Sequence, residues 1–397
     1  MAVAACSPGL SWSHGALGRL VLAVTATALV TIGLPDAASA TGGPHCGDTV
    51  VRDTTLHADL VNCPGDGLVI GADGVTVRLN GHTVGGDVVT SGAGRDVGIR
   101  ATGRLAVRVT GPGTVQGFDE GVRFENMTSS VVRRVRASGN SIGVVVAGGR
   151  RNAVVATTAR NNQLAGISVS GRLSLVARSD ASDNGRGGIG ILVDQNGHSS
   201  AVVGNTADSD HFIGILVNRA DRTLVAGNVV SRSGHGIVVV GSRNRVARNH
   251  VIGGCGSLCD MGISVWGGTG NGIVRNLVED PGRDGIRVGS LQQNIDPDVV
   301  ATTVRANRVR RAGRDAIGVT TEDPGQAIRG TVIARNDVRG SGDDGIDVRH
   351  KQTTITGNRA NRNADLGIDG VPGVSDGGGN RARANGNPAQ GRNVRCR

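Results

Sequence analysis

The feature that most constrains the fold of this chain is a short unit, Gly-apolar-x-Val, which returns about every two dozen residues. Each repeat offers strands of only a few residues, separated by turn-forming Gly, Asn, Asp and Ser. One such coil cannot bury its apolar face alone, whereas many stacked coils bury a continuous core. The sequence therefore predicts an all-β solenoid, a single-stranded parallel β-helix. The units are Gly166–Val169, Gly190–Val193, Gly214–Val217, Gly236–Val239, Gly262–Val265, Gly285–Val288 and Gly345–Val348.

An asparagine that follows a short apolar segment recurs in most coils and supports the same fold. Asparagine at one turn position of successive coils can form a ladder in which each side-chain amide bonds the next. Other repeat folds fit less well, because the sequence lacks Leu-x-x-Leu-x-Leu and its period is too short for a propeller. The 66 glycines also disfavour helical repeats. These asparagines are Asn205, Asn228, Asn249, Asn276, Asn307, Asn336 and Asn358.

The start of the chain has the layout of a secretory signal peptide. Arg19 precedes the apolar run Leu20–Leu34, and Ala38-Ser39-Ala40 offers a small-residue cleavage site. We expect residues 1–40 to be the signal, 41–90 an N-terminal cap with the first coil, 91–370 the repeats, and 371–397 a capping tail. No later segment is apolar over a membrane-spanning length. The sequence thus predicts an exported, extracellular protein without a membrane span, and we expect a monomer.

The composition limits the classes of molecule that this protein is expected to bind. The formal net charge is +10, which attracts polyanions such as uronate polymers, teichoic acids or nucleic acid; a solvated basic surface that aids solubility explains the charge equally well. The chain has three phenylalanines, two tryptophans and no tyrosine. This scarcity disfavours nucleic-acid modules that stack bases and sugar-binding faces built from exposed rings. A core of Val, Ile, Leu and Ala does not need aromatic residues.

We interpret the cysteines as structural residues that form disulfides. Disulfides form in an exported protein, and we expect Cys46 to pair with Cys63 across the first coil. We expect Cys255 and Cys259 to staple a loop, which leaves Cys396 over. A metal site at Cys255 and Cys259 is disfavoured because no second ligand pair lies nearby.

The Gly-Ile-x-Val units with asparagine turns, together with Leu79-Asn80-Gly81-His82 and Asp376-Gly377-Gly378-Gly379-Asn380, resemble the secreted right-handed β-helix repeat proteins of actinobacteria. The resemblance covers almost the whole mature chain and implies a right-handed helix with the pectin-lyase-like fold. That fold hosts lyases, hydrolases, epimerases, adhesins and proteins of no known activity, so it does not specify an activity.

The segment richest in possible chemistry is Gly342–Lys351. Because strand side chains alternate, Ile346 and Val348 should point inward, and Asp347 and Arg349 outward. Asp343 and Asp344 occupy the preceding turn. Three carboxylates within five residues could supply oxygen ligands to Ca²⁺.

Neighbouring coils should add to this cluster. Alignment on the repeated glycine puts Asp284 and Asp315 in the column of Asp344, Asp365 beside Asp343, and Asp369 beside Asp347. Carboxylates stacked about 4.8 Å apart repel each other, so we expect a cation or nearby arginines to neutralise them.

The Asp-Asp-Gly-apolar-Asp run is similar to the calcium-binding motif of one β-helix pectate lyase family. In that family calcium bridges the substrate uronate, and a lysine or arginine removes the proton α to the carboxylate. The resemblance implies that Asp343, Asp344 and Asp347 are calcium ligands, with Asp315 as the fourth. The motif supplies no matching catalytic lysine, and Arg349 and Lys351 are the candidates, with Arg287 as a further substitute. The opposing interpretation is that these residues form turns, for which Asp and Gly are suited.

The histidines suggest two weaker hypotheses. Gly234-His235-Gly236 resembles a polygalacturonase motif, but the order of the accompanying motifs differs, and an exposed turn histidine is the expectation. A periplasmic copper-associated β-helix family shares the repeat, which raises a copper site at His198, His211, His235 and His250. Their offsets within the repeat differ, and methionine is scarce, so copper is disfavoured.

The sequence therefore predicts an exported β-helix that binds or acts on acidic extracellular polysaccharide. One alternative is a calcium-dependent uronate lyase that acts by β-elimination, with Ca²⁺ as its cofactor. Another is a non-catalytic structural protein of the cell surface.

Overall fold

In a computed structural model, residues 43–87, 96–185, 187–253, 261–291 and 297–397 can be described. Over these residues the chain is an all-β right-handed parallel solenoid, and every paired strand is parallel to its neighbours. The predicted fold is confirmed. The predicted signal peptide and the predicted Cys255–Cys259 disulfide lie outside the described residues.

Most coils contribute strands to three sheets, named A, B and C in the order in which the chain meets them. Sheet A contains Asp48–Val50, Leu68–Ile70, Val97–Thr102, Glu120–Glu125, Ile142–Ala147, Ala165–Val169, Ile189–Val193, Ile213–Asn218, His235–Val240, Met261–Thr269, Ile286–Val288, Ile317–Val319, Ile346–Val348, Ile368–Gly370 and Gly391–Arg392, and Val299–Val300 and Ile328–Arg329 extend it beside the end of Met261–Thr269. Sheet B contains Thr54–Thr55, Thr76–Arg78, Arg108–Thr110, Val131–Arg133, Ala153–Val155, Leu175–Ala177, Ala201–Val203, Leu224–Ala226, Arg245–Ala247, Gly272–Val274, Thr303–Arg305, Thr331–Ala334, Thr353–Thr356 and Ser375–Asp376.

Sheet C is divided into two blocks. The first contains Leu60–Cys63, Thr83–Gly86, Thr114–Gln116, Arg136–Ser138 and Thr158–Arg160. The second contains Thr206–Asp208, Val229–Ser231, His250–Ile252, Leu277–Glu279, Arg308–Arg310, Asp337–Arg339, Arg359–Asn361 and Arg381–Arg383. Single bridges from Asp180 to Thr158 and to Thr206 link the blocks.

The core is a set of aliphatic columns that run along the solenoid. In sheet A the residue after the repeated glycine points inward, so that Ile263, Ile286, Ile317, Ile346 and Ile368 stack in register and are fully buried. β-Branched side chains suit this arrangement, because each packs against its equivalents above and below. The core therefore needs few aromatic residues, as the composition indicates.

The predicted asparagine ladder is confirmed. Each of the seven asparagines is buried in the turn between sheets B and C, and its side-chain oxygen or nitrogen bonds the next member at 2.9–3.1 Å. The ladder continues to Asn380, whose side-chain oxygen accepts from Asn358. A second ladder, Asn140–Asn162–Asn184, lies in the turn before sheet A and ends on Asp210.

The ends of the solenoid are themselves coils. The Cys46–Cys63 disulfide is confirmed, and Asp48–Val50 pairs with Leu68–Ile70 of the following coil. Residues 371–397 add strands to all three sheets, so the coil stack continues to Arg392. Among the described cysteines Cys396 is unpaired, and burial raises the pKa of its thiol to about 11. The described part of the chain contains no helix with the length and apolar character needed to cross a membrane.

Candidate functional site

The outer surface of sheet A carries the side chains that are candidates for function. Relative to the repeated glycine, the residues two and four after point outward, and in the middle coils the residue one before it lies on the same surface, since Ile213 packs with Val238 and Trp266. Charged residues occupy these positions at both ends of the solenoid, and apolar residues occupy them in the middle. The column two residues after the glycine reads, along the solenoid, Val69, Arg100, Arg123, Val145, Ser168, Leu192, Leu216, Val238, Ser264, Arg287, Gly318, Asp347, Asp369 and Arg392.

The C-terminal end of this surface carries an acidic–arginine cluster. Five of its carboxylates are almost completely buried, namely Asp284, Asp315, Asp344, Asp347 and Asp369. The predicted columns are correct, because Asp347 pairs in register with Asp369 and the turn carboxylates stack on successive coils. The members of the cluster are Asp284, Asp315, Glu322, Asp343, Asp344, Asp347 and Asp369 with Arg283, Arg287, Arg314, Arg349 and Arg392.

Turn carboxylates of the cluster also organise the backbone. Asp315 accepts a hydrogen bond from the N–H of Asp344 at 3.1 Å, and Asp344 accepts one from the N–H of Leu366 at 2.8 Å. Each carboxylate thus holds the turn of the next coil, as the asparagines do elsewhere. The turn interpretation of these residues therefore has direct structural support.

Arginines neutralise the carboxylates on the outward face. The Arg349 guanidinium lies 2.8 Å from Asp347 and 3.1 Å from Asp369. Arg392 pairs with Asp369 from the next coil, and Arg314 lies 3.3 Å from Asp315. Asp347 points outward as predicted but is buried, because these neighbours cover it.

Burial controls the protonation of the turn carboxylates. Burial, followed by the charges of Asp284 and Asp347, raises the pKa of Asp315 to about 7. Burial is also the main cause that raises the pKa of Asp344 to about 7, with Asp343, Asp369 and Asp347 adding to it. Near neutral pH these two groups are therefore only partly ionised, which reduces the repulsion within the cluster.

The structure brings together most of the residues that the sequence nominated. Asp315, Asp343, Asp344 and Asp347 lie in one cluster, and Arg349 joins it. Lys351 is exposed in the following turn, where its side chain lies against Gly373. Arg287 is buried and paired with Asp284 at 3.1 Å, so a polymer cannot reach it.

The carboxylates form two groups that could hold a metal ion. One carboxylate oxygen each from Asp315, Asp343 and Asp344 lie within 4.8 Å of one another, as do those of Asp344, Asp347 and Asp369. Ca²⁺ takes six to eight oxygens, which backbone and water would have to complete. In the second group Arg349 and Arg392 already neutralise Asp347 and Asp369, whereas in the first group Arg314 pairs with Asp315 but, among the described residues, no arginine pairs with Asp343 or Asp344. The first group fits a cation better.

The middle of the surface is an apolar patch that sequence analysis did not identify. The expectation of an exposed turn histidine was wrong, because His235 begins a strand of sheet A and is buried between aromatic rings. Its ring centroid is 6.0 Å from that of Phe212 and 5.6 Å from that of Trp266, with edge-to-face geometry. Burial lowers the pKa of His235 to about 4, so the ring is neutral at physiological pH. The patch contains Ile189, Phe212, Ile213, Leu216, Val238, Val240, Trp266 and Leu291.

A smaller charged group at the N-terminal end was also missed. Arg100 lies 2.6 Å from Asp66, and Arg123 lies 2.6 Å from Glu120. A sequence pattern does indicate this charged group, because Gly121-Val122-Arg123-Phe124 follows the repeat and has arginine at the outward position.

The histidines do not form a copper site. His250 pairs with Glu279, His198 accepts a hydrogen bond from the N–H of Asp221, and His235 lies among aromatic rings. Over the described ranges, the groups able to hold a metal contain only carboxylates, which are hard ligands rather than the imidazole and thioether that copper favours.

Comparisons with known proteins agree with this fold. A family model described as periplasmic copper-binding protein (NosD) matches residues 99–281. No curated protein matches the sequence. Among solved structures, a double mutant of the tailspike protein of E. coli bacteriophage HK620 is 12% identical, with 89% of this chain and 73% of that chain covered and a TM-score of 0.57.

Two further tailspike structures give the same result. The HK620 tailspike in complex with a pentasaccharide is 11% identical, covers 88% of this chain and 73% of its own, and has a TM-score of 0.52. The Dettilon tailspike protein (gp208) is 16% identical with a TM-score of 0.50; the match covers 76% of this chain but only 59% of the tailspike, less than two thirds of its length. At these identities the likeness shows the fold alone.

Proposed function

We propose that this chain is an exported solenoid that binds acidic polysaccharide along the outer surface of sheet A. One observation carries the proposal: three part-exposed guanidinium groups, those of Arg314, Arg349 and Arg392, follow one another along the solenoid at different positions across sheet A, with side chains 41%, 45% and 58% exposed; we call them the arginine row. The row crosses four successive coils of sheet A. At about 4.8 Å per coil it extends about 14 Å along the solenoid, which suits an extended chain.

Buried carboxylates hold these guanidinium groups in place from below. Asp315 pairs with Arg314, Asp347 with Arg349, and Asp369 with Arg392. An arginine that is already oriented loses less freedom on binding. Its remaining N–H groups can donate two parallel hydrogen bonds to a carboxylate of the ligand. The pentasaccharide bound by the HK620 tailspike is consistent with a saccharide ligand on this type of fold.

We expect Arg314→Gln with Arg392→Gln to weaken binding of a galacturonate hexasaccharide roughly a hundredfold, measured by isothermal titration calorimetry. Each charge-assisted hydrogen bond contributes about 1.5 kcal/mol or more, and every 1.4 kcal/mol is a factor of about ten. Arg349 is retained so that the buried Asp347 and Asp369 keep a partner.

The matched control is Arg381→Gln with Arg383→Gln, which removes the same charge from exposed positions of sheet C. Equal weakening by the control pair would mean that only net charge attracts the polymer. Equal binding of a neutral hexasaccharide such as maltohexaose would also contradict the proposal, because the arginine row should recognise acidic groups.

A divalent cation bound by Asp315, Asp343 and Asp344 is the second candidate function of this surface. Metal ligands must be deprotonated, and two of these carboxylates have a pKa near 7, so cation affinity should rise with pH. Between about pH 4 and pH 7 the folded protein holds protons that the unfolded chain has lost, so stability without a cation falls as pH rises through that range. Above it, the ionised pair carries charge that a cation can neutralise.

At pH 8, calcium at a hundred times its dissociation constant should therefore stabilise the protein by about 2.7 kcal/mol. At pH 6 the same calcium concentration should have a smaller effect, measured by thermal denaturation. Asp343→Asn with Asp344→Asn should abolish the shift, whereas Asp53→Asn with Asp59→Asn, at the opposite end of the sequence, should keep it. A wild-type melting temperature that does not respond to calcium at pH 8 would remove this candidate.

The lyase hypothesis additionally needs a base. The pKa of Arg349 is raised by Asp347 and Asp369 against the opposing effect of burial, so its guanidinium keeps its proton. Lys351 is then the remaining candidate, and Lys351→Ala should abolish any calcium-dependent ultraviolet absorbance of unsaturated products from uronate polymers. A structural cell-surface protein, the last alternative, would produce no such product and bind no saccharide.

A further inference from the structure

A depression of about 550 Å³ lies on the outer side of sheet B and in the turns that follow it. Four arginines line it, namely Arg245, Arg275, Arg305 and Arg335. Arg245 and Arg305 are strand residues of sheet B, and Arg275 and Arg335 occupy the turns before two members of the asparagine ladder.

Small residues between the arginines create the depression. In sheet B, Gly272 and Thr303 follow Arg245 in register, so little side chain fills the space beside it. A Cβ atom at Gly272 would contact only Val274, at 3.8 Å. In the turn, Ala306 separates Arg275 from Arg335.

The turn arginines share one backbone conformation. Arg275, Ala306 and Arg335 have left-handed φ values of 58°, 56° and 54°. Equal backbone conformations direct their side chains the same way, so the two arginines flank the space above the alanine. Two coils separate them, a distance of about 10 Å.

Among the residues that the structure describes, the guanidinium groups of the depression have no anionic partner. The residues that line it include no aspartate or glutamate. Within the described ranges, no ion pair or side-chain hydrogen bond involves any of the four arginines, and all four are exposed. On sheet C, by contrast, Arg310 pairs with Asp337, and Arg311 in the following turn pairs with Asp280. Four unpaired cations around one concavity repel each other unless an anion lies between them.

We propose that this depression is a second binding site, which takes the acidic groups of an extended anionic polysaccharide. Carboxylate, sulfate and phosphate groups each present a pair of oxygens that can accept two parallel hydrogen bonds from one guanidinium group. Two arginine pairs, each spanning two coils, suit two acidic groups of one polymer better than one small anion. The depression has no aromatic residue to stack a base, which disfavours nucleic acid. The site does not depend on the arginine row of sheet A.

The test variant carries Arg275→Gln and Arg335→Gln. Its control carries Arg308→Gln and Arg359→Gln, which removes the same charge from exposed positions of sheet C that form no ion pair within the described part of the chain. Both pairs are made in an Arg314→Gln, Arg392→Gln background, so that binding to sheet A does not mask the result. Fluorescence anisotropy measures labelled oligogalacturonate, sulfated dextran oligosaccharide and a single-stranded oligonucleotide, with inorganic phosphate as competitor.

We expect the site pair to lose at least tenfold in affinity for an acidic saccharide and the control to change less than twofold. The dependence of log affinity on log salt should also become shallower by about 1.5, because two fewer cations displace counterions. The galacturonate and sulfated probes distinguish a carboxylate site from a sulfate or phosphate site.

Three results would overturn the proposal. Equal losses in the site pair and the control would mean diffuse attraction to a basic surface. Tighter binding of the oligonucleotide, with the same dependence on Arg275 and Arg335, would assign the site to nucleic acid. If inorganic phosphate displaced the saccharide completely at a concentration equal to that of the saccharide, the depression would be a site for small anions. Failure of the sheet A proposal would appear separately, as unchanged binding in the background variant.

Discussion

Replacement of Asn276 by alanine should destabilise the protein by about 4 kcal/mol, because it breaks the asparagine ladder at its centre. The Asn276 side chain accepts from the N–H and from the amide of Asn249, and donates to Val246 O and to the Asn307 side chain. It is 2% exposed, so water cannot replace these partners. Each buried group left unsatisfied costs about 1–3 kcal/mol.

The measurement is urea denaturation followed by circular dichroism, and hydrogen exchange locates the damage. Coils of a solenoid contact mainly their neighbours, so exchange should rise most in the coils around residues 246–307. Asn196→Ala is the control, since Asn196 is exposed in a turn and should change stability by less than about 0.5 kcal/mol. Similar losses for both variants would mean that the ladder contributes no more than an ordinary surface asparagine.

The ladder also explains why the fold could be predicted from sequence. Asparagine at one turn position and glycine at or just before the start of each sheet A strand are requirements of the backbone, so they recur in almost every coil. A Cβ atom added at Gly345 would have no room, because the carbonyl oxygen of Gly367 on the next coil would lie 2.5 Å from it. Such constraints are local and recur with each coil, so the repeat in the sequence is enough to reveal them.

The candidate site was predicted only in part, because alternation gives the direction of a side chain but not what covers it. Asp347 was expected to point outward, and it does, yet Arg349 and neighbouring carboxylates bury it. His235 was expected to be exposed, but Phe212 and Trp266 enclose it. These two rings are 23 and 31 residues from His235 in sequence, so no local motif indicates the contact.

The arginines of sheet B were missed for a different reason. Arg245, Arg275, Arg305 and Arg335 are each thirty residues apart, but inserted loops change the coil length, and the repeat offset alternates between strand and turn. Only the strand register shows that they line one depression. That no described carboxylate pairs with them is likewise a property of their three-dimensional neighbours and not of composition.

Arg287→Met alone should destabilise the protein by about 3–5 kcal/mol, whereas Arg287→Met with Asp284→Met should restore most of that loss. Arg287 and Asp284 are 1% and 0% exposed and lie 3.1 Å apart. Without Arg287, the buried Asp284 keeps only the more distant Arg314, at 3.6 Å, whereas replacement of a buried pair by apolar residues of similar size is often neutral or stabilising. An uncharged pair should be accepted here because the equivalent positions of the preceding coil hold the buried and uncharged Met261 and Ser264. Guanidinium denaturation of the two single variants and the double variant gives the coupling energy directly. A double variant as unstable as Arg287→Met would show that Arg287 stabilises mainly through its second partner, Glu322, which lies 3.6 Å away on a later coil.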